Sequence, residues 1–223
     1  RSYVQTYLER DVRQVTAVRD LATFRRFVAL LAARVGQTLN RSDLAGPLGV
    51  SVPTVGDWVS VLEITGQVML VPPYHENFGK RLVKSPKVYF TDTGLASHLL
   101  GIRSLAEFRR SPFRGALWES FVASELAKLQ VNAGRRRELY FFRDQAGLEV
   151  DFVLPGADAR LDLVEAKAGA TVRADDARPL LRLAEAIGDR AGRRLIVHAG
   201  TTSGASRSAA PNVRTLPLAE ALA

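Results

Sequence analysis

Three side chains on two short apolar stretches carry the chemistry of this chain: Asp151, Glu165 and Lys167. The first stretch reads Leu148-Glu149-Val150-Asp151-Phe152-Val153-Leu154. After a Pro-Gly turn, the second reads Leu161-Asp162-Leu163-Val164-Glu165-Ala166-Lys167. As neighbouring strands they set an acid against an acid and a lysine. Pairing would bring the two carboxylates to roughly 5 Å, close enough to share one ion. Side chains alternate along a strand, so Glu165 and Lys167 point to one face. Hard cations such as magnesium prefer carboxylate oxygens and keep several waters. Phosphodiester hydrolysis needs such a cation, a positioned water and stabilisation of the leaving oxygen. The pattern predicts a site for Mg2+ or Mn2+ at Asp151 and Glu165. Lys167 would hold the attacking water and offset phosphate charge. Glu119, on the helix before the strands, would complete the shell directly or through water. The competing reading is a cross-strand Glu–Lys ion pair on a solvated face. Against it, Val150, Phe152, Val153, Leu163 and Val164 embed these charges among apolar residues, where a charge needs a partner.

Apolar spacing predicts the elements that hold these residues. Leu117, Phe121, Val122, Leu126 and Leu129 recur at helical intervals and predict a helix over 115–131. Segments 138–143, 149–154 and 162–167 read as successive strands, 175–187 as a helix and 194–198 as a strand. Residues 201–210 form a Ser/Gly/Ala-rich loop, with an anion nest at 201–206 as its functional alternative. A short strand at 212–216 and a helical tail follow. The order is α/β, an antiparallel meander followed by a crossover helix and a mixed sheet. No glycine-rich loop follows a first strand, which argues against a dinucleotide-binding fold.

Upstream, Val4, Leu8, Val12, Val15 and Val18 predict an amphipathic helix over 3–19. Asp20 or Thr23 would cap the next helix, with Phe24, Phe27, Val28, Leu30, Leu31 and Val35 inward. Residues 39–73 read as helix-turn-helix. A first helix starts at Ser42-Asp43-Leu44-Ala45, and Pro47 limits it to a turn or two. Ser51 caps the second, 52–62, where Pro53 is tolerated in the first turn. A strand at 67–71, a polar loop at 74–79 and a return at 81–83 complete the order of a winged helix. The outward face of 52–62 carries Thr54, Asp57 and Ser60. Thr54 is its candidate nucleic-acid contact, but a face so poor in Lys and Arg suits protein docking as well as DNA readout. A strand at 87–90, a helix at 92–100 and a charged connection at 101–112 follow. The predicted domains are therefore 1–105, a helical arm with a winged helix, and 112–223, an α/β/α domain.

The net charge of +8 is unevenly placed. Residues 1–79 hold 8 Lys/Arg against 7 Asp/Glu, residues 80–143 hold 13 against 5, and residues 144–223 hold 10 against 11. The excess lies in the middle, beside the acidic strands, and suits a polyanion such as DNA. Arg135, Arg136, Arg137 and Arg143 are the candidate phosphate contacts. The chain has no cysteine, which excludes disulfides, thiolate nucleophiles and cysteine-ligated zinc, and suits a reducing cytoplasm. No apolar run approaches the roughly 18 residues of a membrane span, and no signal-peptide pattern opens the chain. His75, His98 and His198 lack ligand spacing, and no serine has a convincing His/Asp pairing. The chain starts without methionine inside an amphipathic pattern, as a piece of a longer protein would.

Here a resemblance becomes specific. Gly115-Ala116-Leu117-Trp118-Glu119-Ser120-Phe121-Val122, Tyr140-Phe141-Phe142-Arg143, Glu149-Val150-Asp151-Phe152-Val153 and Glu165-Ala166-Lys167-Ala168-Gly169 resemble the C-terminal domain of a large family of prokaryotic AAA+-like ATPases. Tyr3-Val4-Gln5-Thr6-Tyr7-Leu8-Glu9-Arg10-Asp11-Val12 and Lys87-Val88-Tyr89-Phe90-Thr91-Asp92-Thr93-Gly94-Leu95-Ala96 fit the same family. That C-terminal domain resembles the PD-(D/E)XK nuclease superfamily, with a winged helix between it and the ATPase. The resemblance implies a restriction-endonuclease-like fold, an upstream ATPase domain, Asp151, Glu165 and Lys167 as the D–ExK motif, and Glu119 as the helix acid. No Gly-x-x-x-x-Gly-Lys-Ser/Thr occurs, so the ATP-binding loop is absent from this chain. The helix after Lys167 also lacks the Gln-x-x-x-Tyr of some exonuclease branches. Two functional classes follow. One is a magnesium-dependent deoxyribonuclease. The other is a non-catalytic DNA- or protein-binding module of the ATPase with an inactive nuclease-like fold. Homo-oligomers built through the winged helix and helical arm are a third expectation.

Overall fold

The computed structural model describes residues 20–74, 84–200 and 210–221. The helix expected at 3–19, His75, most of the loop at 74–79, the return at 81–83 and the nest at 201–206 lie outside the described residues. The chain divides into two compact units, Arg1–Leu70 with Lys87–Ser120, and Val71–Pro86 with Phe121–Ala223.

In the first unit, helix α1 (Leu21–Ala32) starts where Asp20 offers its carboxylate to the amides of Ala22 and Thr23, both at 3.0 Å. The Thr23 hydroxyl donates to the same carboxylate at 2.6 Å. These bonds, that from the Thr23 hydroxyl foremost, hold the Asp20 carboxyl below its ordinary value. Helix α2 (Arg41–Leu48) is capped by Asn40, whose side chain accepts from the amides of Ser42 and Asp43 at 3.1 and 3.4 Å. Pro47 sits in its last turn, and Gly49 ends it at φ +68, a conformation that glycine adopts without strain. The helix is therefore two turns long, as Pro47 requires. Asn40→Ala should lower stability to urea by about 1 kcal/mol. Asn40→Asp should leave it nearly unchanged, because the acceptor survives.

Ser51 caps helix α3 (Val52–Ile64), with Pro53 in the first turn. Val55, Val59 and Leu62 are buried as the spacing predicts. Trp58 packs edge-on against Phe24 at 5.4 Å and on Phe27 at 5.3 Å, which ties α3 to α1. Strands β1 (Val68–Val71) and β2 (Lys87–Phe90) form a two-stranded sheet. Helix α4 (Thr93–Leu99) is capped by Asp92. The stretch expected as a plain connection contains a further helix, α5 (Leu105–Arg110). Ser104 Oγ accepts from the Glu107 amide at 3.2 Å, and Glu107 reaches back to the Arg103 amide at 2.6 Å. The Ser-x-x-Glu spacing of a capping box was legible there. Helix α6 (Arg114–Asn132) runs from the first unit into the second, so the division falls within it.

The second unit is built on a five-stranded mixed sheet: β3 (Tyr140–Arg143), β4 (Glu149–Pro155), β5 (Leu161–Lys167), β6 (Ala191–His198) and β7 (Arg214–Pro217), in that spatial order. Strands β3, β4 and β5 form the predicted antiparallel meander, and β6 and β7 join in parallel. A parallel neighbour needs a crossover. Helix α7 (Arg178–Ile187) supplies it, after a 3-10 turn at Ala174–Ala177 that takes up the start of the expected helix. Leu180, Leu183, Ala184 and Ile187 share a core with Val150, Val153, Leu161, Leu163 and Ile196. A short helix α8 (Leu218–Ala221) follows β7. On β5, the buried Asp162 accepts from the Arg193 amide at 2.8 Å and from its guanidinium at 2.9 and 2.7 Å. Those bonds and the charge of Asp162 raise the Arg193 pKa, and they clamp the start of β5 to β6.

Candidate active-site cleft between β4, β5 and α7

The pairing of β4 with β5 runs Pro155↔Leu161, Leu154↔Asp162, Val153↔Leu163 and Phe152↔Val164. One step further along β4, Asp151 reaches β5 with its side chain. Its Oδ2 accepts the Ala166 N–H at 2.9 Å. On its other edge β4 is bulged: Tyr140 pairs with Val153 but Phe142 with Val150, so β4 uses one residue more than β3. Bulges re-aim side chains and collect beside active sites. Here the extra residue lets Val150 and Val153, three apart, reach the same core under α7.

Glu165 continues the alternation of Leu161 and Leu163 and so lies on the α7 face. It is 7% exposed. Lys167, two residues on, donates from Nζ to Glu165 Oε1 at 2.9 Å and lies 3.7 Å from Asp176 Oδ1. Burial works against the lysine charge. The charge and hydrogen bond of Glu165, then Asp151 and Asp176, outweigh it and raise the Lys167 pKa above its ordinary value. Lys167 is therefore an ammonium at neutral pH. As an ammonium it can neutralise charge and donate hydrogen bonds.

Asp151 and Glu165 line a cleft of about 400 Å³ with Glu149, Arg178, Pro179 and Arg182. The predicted pair thus shares one concave surface. Two carboxylates beside a protonated lysine fit a hydrated hard cation, which commonly takes one or two carboxylates and keeps its waters. Among the described residues no group of three or more His, Cys, Asp or Glu side chains stands ready for a metal. Glu119 belongs to the first unit. There its Oε1 accepts from Lys87 Nζ at 2.8 Å and Tyr89 Oη at 2.5 Å, and Lys87 is only 2% exposed.

The expected phosphate contacts separate. Arg143 Nε lies 3.6 Å from Glu149 Oε2, at the cleft end of β3. Arg135, Arg136 and Arg137 are exposed and enter β3 at its other end, where Tyr140 faces Val153. Thr54 is half-buried in the first turn of α3, its hydroxyl 2.8 Å from Ser51 Oγ within the cap. His198 Nδ1 accepts from the Gly200 amide at 3.0 Å. Sequence reasoning missed Asp176, Arg178 and Arg182. The signal was there: arginines four apart, one turn apart at the start of the first α-helix after the strand carrying Lys167.

No helix of the described residues is long and apolar enough to cross a membrane. No solved structure matches the chain. Two relatives are 38% identical over 149 residues, which is 67% of this chain and 33% of each relative: the uncharacterized protein Rv2008c of Mycobacterium tuberculosis and the uncharacterized protein Mb2031c of Mycobacterium bovis. The chain spans about a third of the length of these curated relatives. Two domains of unknown function are found in it in tandem: residues 1–106 match DUF8612 and residues 114–219 match DUF4143.

Proposed function

We propose that this chain is the DNA-processing part of a longer AAA+-like ATPase. In this reading the second unit is a PD-(D/E)XK-type phosphodiesterase using magnesium or manganese. The observation that carries the reading is the sharing of one cleft by Asp151 and Glu165, with Lys167 bonded to Glu165. Asp151 and Glu165 would hold the ion. When bound, it would supply positive charge to the phosphate and acidify water. The chain's own part is positional. The amide of Ala166 fixes the Asp151 carboxylate. Glu165 and Asp176 orient the Lys167 ammonium, which offers protons to a phosphate oxygen or an attacking water. The upstream ATPase domain draws support from the family resemblance and from relatives about three times as long as the matched region.

In this reading the first unit is a winged helix. Support comes from the order α2, a short turn, α3 and the β1/β2 sheet. With Thr54 in the cap and Asp57 and Ser60 exposed, the outer face of α3 suits a protein surface better than DNA bases. The unit would dock the ATPase domain or a second copy of the chain, in the cytoplasm.

The test is cleavage of single- and double-stranded DNA by the whole chain with magnesium or manganese. Chelation should stop it. Intact DNA under every condition would sink the enzymatic reading and leave the non-catalytic binding module. One observation favours that second reading: Glu165 already holds an ammonium partner.

A further inference from the structure

The cleft that holds Asp151 and Glu165 is acidic on its sheet side. Glu149, Asp151 and Glu165 line it there, and a polyanion entering it meets carboxylates first. The opposing charge comes from α7. Arg178 and Arg182 line the same cleft. Four residues apart on a helix, they rise from one face with Cβ atoms about 5–6 Å apart. Both are exposed, and their availability can be read from their partners. Arg178 pairs with Asp175 at 3.0 Å, with side chains 75% and 73% exposed. A surface pair of this kind is worth little and exchanges readily. Arg182 has no ion pair among the described residues. Neither guanidinium is needed to hold the sheet together, unlike Arg193 on Asp162.

We infer that Arg178 and Arg182 are the phosphate clamp of this cleft, gripping the nucleic-acid backbone so that one phosphodiester lies against Asp151 and Glu165. The inference rests on the function proposed above and deepens it. It moves the main phosphate contacts from Arg135–Arg137, which enter β3 at its far end, to α7. A guanidinium fork matches two phosphate oxygens at once. The two arginines would fix the position of the strand and carry no base preference.

The experiment is binding of a fluorescein-labelled DNA duplex to the whole chain by anisotropy, without divalent metal, over a salt series. Removing one phosphate-binding cation should flatten the slope of log K against log salt by about 0.9. Arg178→Gln with Arg182→Gln should flatten it by about two and weaken low-salt binding at least tenfold. Arg178→Lys with Arg182→Lys should restore the slope. Arg109→Gln with Arg110→Gln removes the same charge from the other unit and should change the slope less. Equal effects of the two Gln pairs, or an unchanged slope in the α7 pair, would overturn the clamp while DNA binding still stands. A chain that binds no DNA at all overturns the clamp and the proposed function together. Melting temperatures of the variants should match the parent, since both side chains are exposed.

Discussion

Under the proposed function, Asp151→Asn should lower magnesium-dependent DNA cleavage at least about 100-fold and leave the sheet folded, the scale seen when one group facing the developing charge is removed. The substitution separates two jobs of one carboxylate. Its oxygen receives the Ala166 N–H at 2.9 Å, and its charge faces the cleft. Asparagine keeps an acceptor for the amide and removes the charge. Asp151→Ala removes both, and the unsatisfied amide should cost about 1–3 kcal/mol in addition. Loss of cleavage in both variants, with loss of stability only in the second, identifies the charge as the catalytic element. Equal loss of stability in both would assign Asp151 to the fold.

The same variant changes Lys167 in a direction that can be measured. Asp151 is among the charges that raise the Lys167 pKa against the effect of burial. Neutralising it moves that pKa down, toward the ordinary lysine value, while Glu165 and Asp176 still act. The sign for stability follows. A pKa raised on folding stabilises the native state below the unfolded lysine value, and that stabilisation is lost as pH rises through the raised folded value. Unfolding curves of the parent should therefore weaken only on the alkaline side of the ordinary lysine range. In Asp151→Asn the weakening starts at the same unfolded lysine value but is smaller and complete at lower pH. Titration of the Lys167 ammonium by NMR checks the shift directly. An unmoved pKa would mean that Asp151 does not sense the lysine.

What the sequence made legible was whatever repeats along a strand or helix. Alternation in 149–154 and 162–167 announced two strands, and the Pro-Gly between them made the pair antiparallel neighbours. That was enough to bring Asp151 and Glu165 to one place. The caps at Asp20, Ser51 and Asp92 were legible for a related reason: each is a small polar acceptor one step before an apolar helical run. The bulge in β4 was not, because one extra residue against β3 leaves no mark on composition. Arg178 and Arg182 escaped because basic residues on a helix are usually solvated. Only the crossover turns that helix end toward the carboxylates. The Arg135–Arg137 run stands apart from the cleft despite its closeness in sequence. It precedes the acidic strands, but an antiparallel meander sends its two ends to opposite sides of the sheet.

Lys87→Met destabilises the chain by about 3–5 kcal/mol, the cost of leaving a buried charge without its partner. Lys87 is 2% exposed and its Nζ lies 2.8 Å from Glu119, whose side chain is 16% exposed. Methionine fills much of the same space, so the loss is electrostatic more than steric. The double variant Lys87→Met with Glu119→Gln removes both charges and should recover part of that cost, giving a coupling well outside additivity. Tyr89→Phe removes the second donor to the same oxygen and should cost about 1–3 kcal/mol, as for other hydrogen bonds to charged groups. These variants also decide between two uses of Glu119. A metal-binding acid would lose cleavage on Glu119→Gln and keep its melting temperature. An acid committed to Lys87 and Tyr89 would lose melting temperature first, and cleavage by the folded fraction would persist. The geometry favours the second result, because two short bonds to one oxygen already satisfy the carboxylate charge where it stands. Gly36 lies beside this pair: a Cβ there would stand 3.5 Å from the other Glu119 oxygen and 3.4 Å from the Ala116 Cβ, at φ +75. Those are ordinary contacts, so Gly36→Ala should destabilise through backbone strain at its positive φ, and to the same extent when Glu119 is already glutamine.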